Sequence, residues 1–155
     1  MPAPTPSTNG RLVWPSAAAR VLADYILIAE RRYARDLRAI VADRAARFGA
    51  GDEIVDGIRS CVGEVFNNAC VHAAGSLTRT VLAKDVAAGR WVVEVLDDGP
   101  GMPVFPDEAP AIVAGAEAEG GYGLWVVKSL AAEAFPRTCG EWSGVVFTFV
   151  IEAAP

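Results

Sequence analysis

The sequence predicts one domain of mixed α/β (α+β) structure, built from five strands and three helices. The strands and helices alternate only in part along the chain. Segments rich in β-branched and aromatic residues come in neighbouring pairs joined by short turns, which is typical of β-hairpins. Other segments place apolar residues at helical spacing, but strands and helices do not alternate regularly as they do around a parallel sheet. With 155 residues and 52% apolar content, the chain is long enough to bury one core.

Composition narrows the classes of function. No apolar run reaches the length of a membrane span and the first residues do not resemble a secretory signal, so we expect a cytoplasmic protein without a membrane partner. The three cysteines show no CxxC spacing, which argues against a disulfide framework or a zinc site. A net charge of −5 argues against direct contact with nucleic acid.

The charge is unevenly distributed along the chain. Residues 1–48 carry eight arginines against four acidic residues, whereas residues 49–155 carry six basic residues against fifteen acidic ones. This division predicts a charged contact with another protein, and a solvated helix face is the alternative.

The N-terminal part of the sequence is predicted to form an extension that precedes the domain. Residues 1–20 contain four prolines and predict a flexible or loosely docked segment, with Trp14 as a side chain that could dock it. The domain then spans residues 21–155. A strand is predicted over 21–29 and an amphipathic helix over 30–48. Three arginines share one face of this helix, the arginine ridge: Arg31, Arg35 and Arg38.

A second helix is predicted from Asp52, whose carboxylate can cap it, to about Ala74. Near its end lies the stretch EVFNNACVHA, in which Glu64, Asn68 and His72 are four residues apart and therefore share one face. A polar line on an apolar helix either serves a ligand or forms a capped or solvated edge. For His72 we favour packing or capping over catalysis.

A β-hairpin is predicted over residues 77–96, with its turn at Ala87-Ala88-Gly89. It delivers Asp97 and Asp98 to the end of a strand, where the sequence continues as DDGPG. Two glycines so close together mark a backbone that turns sharply and lets a ligand approach. Asp98 alone is typical of a turn residue.

The C-terminal part predicts a long loop, a helix and a hairpin. Residues 102–120 have the length of a lid, and their end, EGGYGL, opens a third helix that we expect to stop at Pro136. A glycine-rich loop entering a helix N-terminus is suited to anions. The last hairpin is predicted to turn at Ser143-Gly144.

Together these segments suit a nucleotide. The acceptor-only carboxylate of Asp97 fits the exocyclic amine of adenine and would repel the carbonyl of guanine. Asn68 offers an oxygen to Mg²⁺, and Glu64 lies one turn earlier, placed to take a proton from an attacking hydroxyl or water. The glycines complete the set by close backbone approach to base and phosphates: Gly99, Gly101, Gly121 and Gly123.

The order and spacing of the three segments closely resemble the GHKL (histidine-kinase-like) ATPase superfamily, over roughly residues 21–151. Within it, the chain is most similar to the small bacterial anti-sigma-factor serine kinases. EVFNNACVHA corresponds to the N box, DDGPG to the first glycine box and EGGYGL to the second. The resemblance implies the Bergerat-type ATP-binding fold, a two-layer α/β sandwich with a mixed, mostly antiparallel sheet and helices on one face.

The resemblance also implies roles and partners. Glu64 corresponds to the general base, Asn68 to the magnesium ligand and Asp97 to the adenine reader. The nucleotide loops correspond to Gly99, Gly101, Gly121, Tyr122, Gly123 and Leu124. The implied activity is the transfer of phosphate from Mg-ATP to a serine of an antagonist (anti-anti-sigma) protein, with a sigma factor as second partner. The arginine ridge is then a candidate surface for a partner or a homodimer.

Two departures from the family pattern bear on activity. Residues 102–120 contain no Lys or Arg, and Tyr122 stands where relatives often carry Arg. Phosphoryl transfer usually recruits a cation to the γ-phosphate, which here would come from Lys128, a partner or magnesium. A noncatalytic regulator, binding ATP or no nucleotide at all, is therefore the alternative function.

Overall fold

The structure is a computed structural model that describes residues 17–101, 103–107 and 122–152. Its elements follow in chain order: β1 Arg20–Ile28, a 3-10 turn Arg31–Tyr33, α1 Ala34–Arg47, α2 Asp52–His72, β2 Leu77–Asp85, β3 Arg90–Asp97, α3 Tyr122–Leu130, β4 Glu133–Cys139 and β5 Trp142–Val150. Most of the predicted extension and most of the predicted lid lie outside the described residues.

The five described strands form one sheet in the order β1-β2-β3-β5-β4, so the last two strands exchange places. All four pairings are antiparallel. The expected two-layer sandwich is confirmed. The parallel component of a mixed sheet is wrong for these strands, because the two hairpins, the pairing of β1 with β2 and the return of β5 beside β3 are all antiparallel.

The described helices pack on one face of the sheet, the inner face. The core there combines alternate strand residues such as Leu82, Val93 and Phe147 with helix residues such as Ile58 and Val62. Helix α2 lies between α1 and α3 and contacts both. None of the helices in the described ranges is long and apolar enough to span a membrane.

The third helix is shorter than predicted, ending at Leu130. Residues 133–139 form the edge strand β4, with Pro136 inside it. An edge strand tolerates proline because one of its rows of backbone N–H groups has no partner strand. Helical spacing misled the prediction because Ala134 and Phe135 alternate across the sheet, pairing with Phe147 and Val146.

The last hairpin turns at Gly140, which adopts φ 62°, and not at Ser143-Gly144. Ser143 and Gly144 lie inside β5, opposite Asp97 and Leu96 of β3. The start of α2 is also corrected: Gly51 is the N-cap and Asp52 the first helical residue. There the carboxylate favours the helix through its dipole.

Gly144 is the tightest point of the sheet. A methyl group on its Cα would overlap the carbonyl oxygen of Val95 and lie 2.8 Å from the Cα of Leu96. We expect Gly144→Ala to lower the free energy of unfolding by about 3 kcal/mol or more, measured by chemical denaturation. Gly51→Ala is the control, because its methyl would meet only the flexible end of Glu152, at 2.9 Å. Equal losses in the two variants would contradict this account.

Candidate functional site

Helix α2 brings two of the predicted polar residues into one half-buried row. Glu64 and Asn68 are both half-buried, one turn apart, on the side of α2 that faces α3 and the end of β3. His72, the last residue of the helix, is exposed, as is Asn67. The exposure of His72 argues against packing, and the other part of the prediction, a capping role at the end of the helix, stays a prediction.

Asp97 ends β3 and is held by the backbone that follows it. Its Oδ1 accepts a hydrogen bond of 2.9 Å from the amide of Gly99. Burial raises the pKa of Asp97 above its usual range, the Gly99 hydrogen bond opposes this, and the charge of Asp98 adds to it. One oxygen is thus engaged by the protein, which leaves the other to accept from a ligand.

Asp98 has a separate, structural role. Its Oδ1 accepts a hydrogen bond of 2.8 Å from the amide of Leu77, and its own amide donates to the Leu77 carbonyl at 3.1 Å. These bonds join the start of β2 to the end of β3. The prediction of a turn residue agrees with this position.

A cavity of about 90 Å³ opens between Asn68 and Asp97. Its walls are the C-terminal half of α2, the loop after β3 and the start of β5, and its lining is Val65, Asn68, Ala69, Ala73, Val95, Asp97, Pro100, Gly101, Pro103, Gly144 and Val145. Apolar walls around two convergent polar groups are typical of a site for a planar base.

Two of the predicted glycines, Gly99 and Gly101, lie in the loop beside this cavity, in the part of the chain that the structure describes. A methyl at Gly99 would lie 2.5 Å from Cβ of Ala73 and 3.0 Å from Oδ1 of Asp97. Gly101 adopts φ 97°, a conformation that glycine favours, and its carbonyl accepts a hydrogen bond of 2.8 Å from Ser143 Oγ. At both positions the backbone of the loop carries no side chain beside the cavity.

The start of α3 approaches Glu64 directly. A methyl at Gly123 would lie 2.7 Å from Oε2 of Glu64. Tyr122 is exposed and Leu124 is buried in the core beneath α3. Gly121 lies outside the described residues. The general-base candidate and the first turn of α3 therefore form one contact, although they are far apart in the chain.

Phosphoryl transfer usually needs a cation near the γ-phosphate, and few of the described basic side chains lie near the cavity. Lys128 donates to the carbonyl of Pro106 at 3.4 Å and lies over the ring of Trp125. In the part of the chain that the structure describes, no Lys or Arg lines the cavity. No cluster of three His, Cys, Asp or Glu side chains suited to a metal occurs in the described ranges. A metal ion at this site would be coordinated by Asn68 together with oxygens of a bound ligand.

A larger groove, of about 530 Å³, lies on the other side of α3. Its rim carries Glu53, Asp56 and Glu152. Asp56 is paired with Arg59 at 2.8 Å, but three carboxylates on one rim still repel phosphates, so the smaller cavity at Asp97 is the better nucleotide site.

Sequence reasoning missed the contribution of β5. Ser143, Gly144 and Val145 face or support the cavity from a strand placed beside β3. No local signal marks them, because their role depends on which strands pair. The Ser-Gly pair was interpreted as a turn instead.

The cavity lined by Asn68 and Asp97, beside the first turn of α3, is the candidate site for a nucleotide. The sequence matches the family model of the histidine kinase-like ATPase domain over residues 27–141, and the chain belongs to this family. A comparison with curated proteins finds no match. Family membership implies ATP binding.

A solved structure supports the fold. The chain is similar to the RsbU and RsbW domains of Rv1364c from Mycobacterium tuberculosis, with a TM-score of 0.54 and 20% sequence identity. The similarity covers 83% of this chain and 32% of that chain. This chain therefore spans about a third of the length of the chain in that structure.

Gly99 permits a direct test of the loop geometry. We expect Gly99→Ala to weaken ATP binding by about tenfold, because its methyl would push the loop away from Ala73 and disturb Asp97. The double variant Ala73→Gly/Gly99→Ala removes the closer of the two contacts and should recover part of the affinity, measured by calorimetry. Equal affinities of the single and double variants would show that Ala73 is not the obstacle.

Proposed function

We propose that the chain is an anti-sigma-factor-like regulator that binds Mg-ATP and phosphorylates a serine of an antagonist protein. The observation that carries the proposal is the contact of Glu64 with Gly123, next to Asn68 and the Asp97 cavity. It brings the residues proposed as proton acceptor, metal ligand and base reader to one end of the sheet. The family resemblance supplies the class of partner, a sigma factor and an anti-anti-sigma protein.

Base selection rests on Asp97. Its free oxygen would accept a hydrogen bond from the exocyclic amine of adenine, while Gly99 holds the other oxygen. The carbonyl at the same position of guanine would face a carboxylate with no proton between them. We therefore expect ATP to be strongly preferred over GTP.

Phosphoryl transfer would depend on Glu64. As the serine oxygen bonds to the γ-phosphorus, the bond from that phosphorus to the β,γ-bridging oxygen breaks and ADP leaves. Glu64 accepts the proton of the serine hydroxyl. Its half-buried position against α3 keeps the carboxylate in one place, which is the condition for efficient general-base catalysis.

Charge compensation would come from magnesium and from the partner. Magnesium, when bound, neutralises charge on the phosphates, and Asn68 would hold it together with phosphate oxygens and water. The first turn of α3 contributes backbone N–H groups at the positive end of a helix. Lys128 is a weaker candidate because it is engaged with Pro106.

Only part of the arginine ridge is exposed to solvent. Arg31 and Arg35 are exposed, whereas Arg38 is half-buried and packs over Gly63 of α2, where a methyl group would collide with its side chain. We propose the exposed arginines as the contact for an acidic partner or a second copy. Arg38 belongs to the packing of α1 on α2.

The alternative function, a noncatalytic regulator, is favoured by one observation: the described residues that line the cavity include no Lys or Arg. Such a protein would bind ATP, or no nucleotide, and act through its protein contacts alone.

Calorimetric titration with ATP and GTP, each with and without Mg²⁺, tests the binding half of the proposal. Magnesium-dependent binding of ATP with GTP excluded is the expected result, and no binding of either would overturn it. Production of ADP from Mg-ATP tests the catalytic half. ATP binding with no ADP produced, alone or beside a serine-bearing antagonist protein, would favour the noncatalytic alternative.

A further inference from the structure

The groove of about 530 Å³ is lined by the first two turns of α2, the end of α3 and the end of β5. We call it the acidic groove, because Glu53, Asp56 and Glu152 stand on its rim. None of the described residues that line it also lines the cavity at Asp97. The acidic groove is therefore a separate surface from the candidate nucleotide site.

The interior of the acidic groove is apolar. Ile54 and Phe149 are buried at its floor. Gly57 lets the ring of Phe149 approach α2, since a methyl group there would lie 2.8 Å from Cε1 of the ring. Leu130 and Val150 line the same groove and are 49% and 51% exposed. Two large apolar side chains half in water at one groove are typical of a surface that a partner covers.

The rim of the acidic groove carries unpaired negative charge. Glu53 and Glu152 form no ion pair with any residue in the described ranges, whereas Asp56 is paired with Arg59 at 2.8 Å. The end of α3 at Leu130 adds the partial negative charge of the last helical carbonyl oxygens. The partial positive charge at the start of α2 is offset by the two acidic residues of its first turn. The acidic groove therefore favours an apolar group with positive charges at its borders.

We propose that the acidic groove binds a basic amphipathic helix of a partner protein. Apolar side chains of that helix pack on the floor and against Leu130 and Val150, and its lysines or arginines meet Glu53 and Glu152. Anchors at i, i+3 or i+4 and i+7 span about 10 Å, at about 1.5 Å per residue. The groove has the same length along α2, because its lining there runs over seven positions, from Glu53 to Ser60.

Other occupants fit the acidic groove less well. A small apolar ligand would cover the floor but leave Glu53 and Glu152 without a counter-charge. An added strand needs an open strand edge, and β5, the strand of this groove, is paired on both sides, with β3 and β4. A second copy that presented the same groove would bring carboxylates against carboxylates. A helix needs only side-chain contacts, because its backbone groups are already hydrogen-bonded.

Binding at the acidic groove leaves the cavity at Asp97 open, so a helix and a nucleotide can be bound at the same time. The basic helix has the opposite charge to the acidic partner proposed for Arg31 and Arg35. The two surfaces of the chain thus select partners of opposite charge. Helix binding does not require the roles proposed for Glu64 and Asp97.

Fluorescence anisotropy with a synthetic peptide tests the acidic groove. The probe is a labelled, end-capped peptide of about 18 residues, with leucines on one helical face and lysines on the other. The matched peptide carries glutamate in place of each lysine. The full chain is titrated with each peptide in the absence of nucleotide. We expect the lysine peptide to bind about tenfold more tightly or better, with the same affinity when Mg-ATP is added.

A matched pair of charge variants locates the basic contact. Glu53→Gln/Glu152→Gln removes two exposed carboxylates from the rim and should weaken binding of the lysine peptide by about tenfold. Asp36→Asn/Asp43→Asn makes the same change of net charge at exposed positions of α1. In this control the affinity should stay within about twofold of the parent protein.

A second pair of variants locates the apolar contact. Leu130→Ser should weaken binding of the lysine peptide by about tenfold, because it removes an apolar side wall of the groove without changing charge. Ile40→Ser is the control, since Ile40 is an apolar side chain of similar exposure, 46%, on α1. Its affinity for the peptide should equal that of the parent protein.

Several results would overturn the basic helix as the occupant. These are equal binding of the two peptides, no binding of the lysine peptide at about 1 mM, and equal affinities in either variant and its control. A dimer in light scattering that Leu130→Ser dissociates would assign the acidic groove to a second copy. Binding of the neutral dye Nile red that Leu130→Ser abolishes, without binding of the lysine peptide, would assign it to a small apolar ligand. Failure of ATP to bind would overturn the proposed function and leave the peptide result unchanged.

Discussion

Asp97→Asn is expected to weaken ATP binding by about a hundredfold or more, because it replaces the free carboxylate oxygen that we propose accepts from adenine with a group that need not accept. The amide oxygen of Asn can still take the hydrogen bond from Gly99, so the loop keeps its shape. The NH₂ group would then face the exocyclic amine of adenine, donor against donor. Calorimetric titration with ATP measures the loss.

The same substitution should slightly stabilise the protein without nucleotide. Burial raises the pKa of Asp97 in the folded protein, so its protonated form favours folding. The stability gained this way is full below the unfolded-state pKa and is lost as the pH rises through the folded-state pKa. At neutral pH the ionised group carries a cost, which Asn removes. Because solvent screens this half-buried group, the expected rise in melting temperature is about 1–2 °C.

Asp98→Asn is the matched control for both effects. Asp98 is exposed, and an Asn there can still accept the hydrogen bond from Leu77. ATP affinity should stay within about twofold of the parent protein. Unchanged ATP affinity in Asp97→Asn would defeat the assignment of the cavity to adenine, whatever the control shows.

Glu64→Gln is expected to lower turnover of Mg-ATP by about a hundredfold to ten-thousandfold, while ATP affinity changes little. Glutamine has nearly the same shape as glutamate, so the contact with the start of α3 survives, but it cannot accept a proton. The measurement is ADP production by the purified protein at saturating Mg-ATP. Loss of turnover with retained affinity separates a proton acceptor from a residue that merely holds nucleotide.

Glu53→Gln controls for the change of charge. Glu53 is an exposed carboxylate in the first turn of the same helix, far from the Asp97 cavity along α2. It should retain full turnover. Equal turnover in Glu64→Gln and the parent would remove Glu64 from the mechanism and leave water or the partner as the proton acceptor.

Local signals predicted those parts of the fold and site that a short stretch determines by itself. Helix α2 was expected from Asp52 to about Ala74 and runs from Asp52 to His72, because long apolar periodicity is unambiguous. The hairpin of β2 and β3 and the position of Asp97 at a strand end followed from the same kind of pattern. The half-buried row of Glu64 and Asn68 is a direct consequence of helical spacing.

Non-local geometry accounts for what was missed. The stretch around Pro136 was expected to end a helix and is instead an edge strand, since its neighbour β5 decides its conformation. Gly144 lines the base cavity only because β5 inserts between β3 and β4. The approach of Gly123 to Glu64 likewise joins residues about sixty positions apart, which no sequence pattern specifies.

The contact between Gly123 and Glu64 has a thermodynamic consequence. A shift of the first turn of α3 towards Glu64 would also move the carboxylate, because a methyl group at Gly123 would already lie 2.7 Å from Oε2 of Glu64. Under the proposed roles, with phosphates at the first turn of α3 and Glu64 as proton acceptor, phosphate binding and the alignment of Glu64 are linked equilibria, and each changes the other to the same degree. A protein bound against α3 would then alter the proposed transfer without touching the nucleotide.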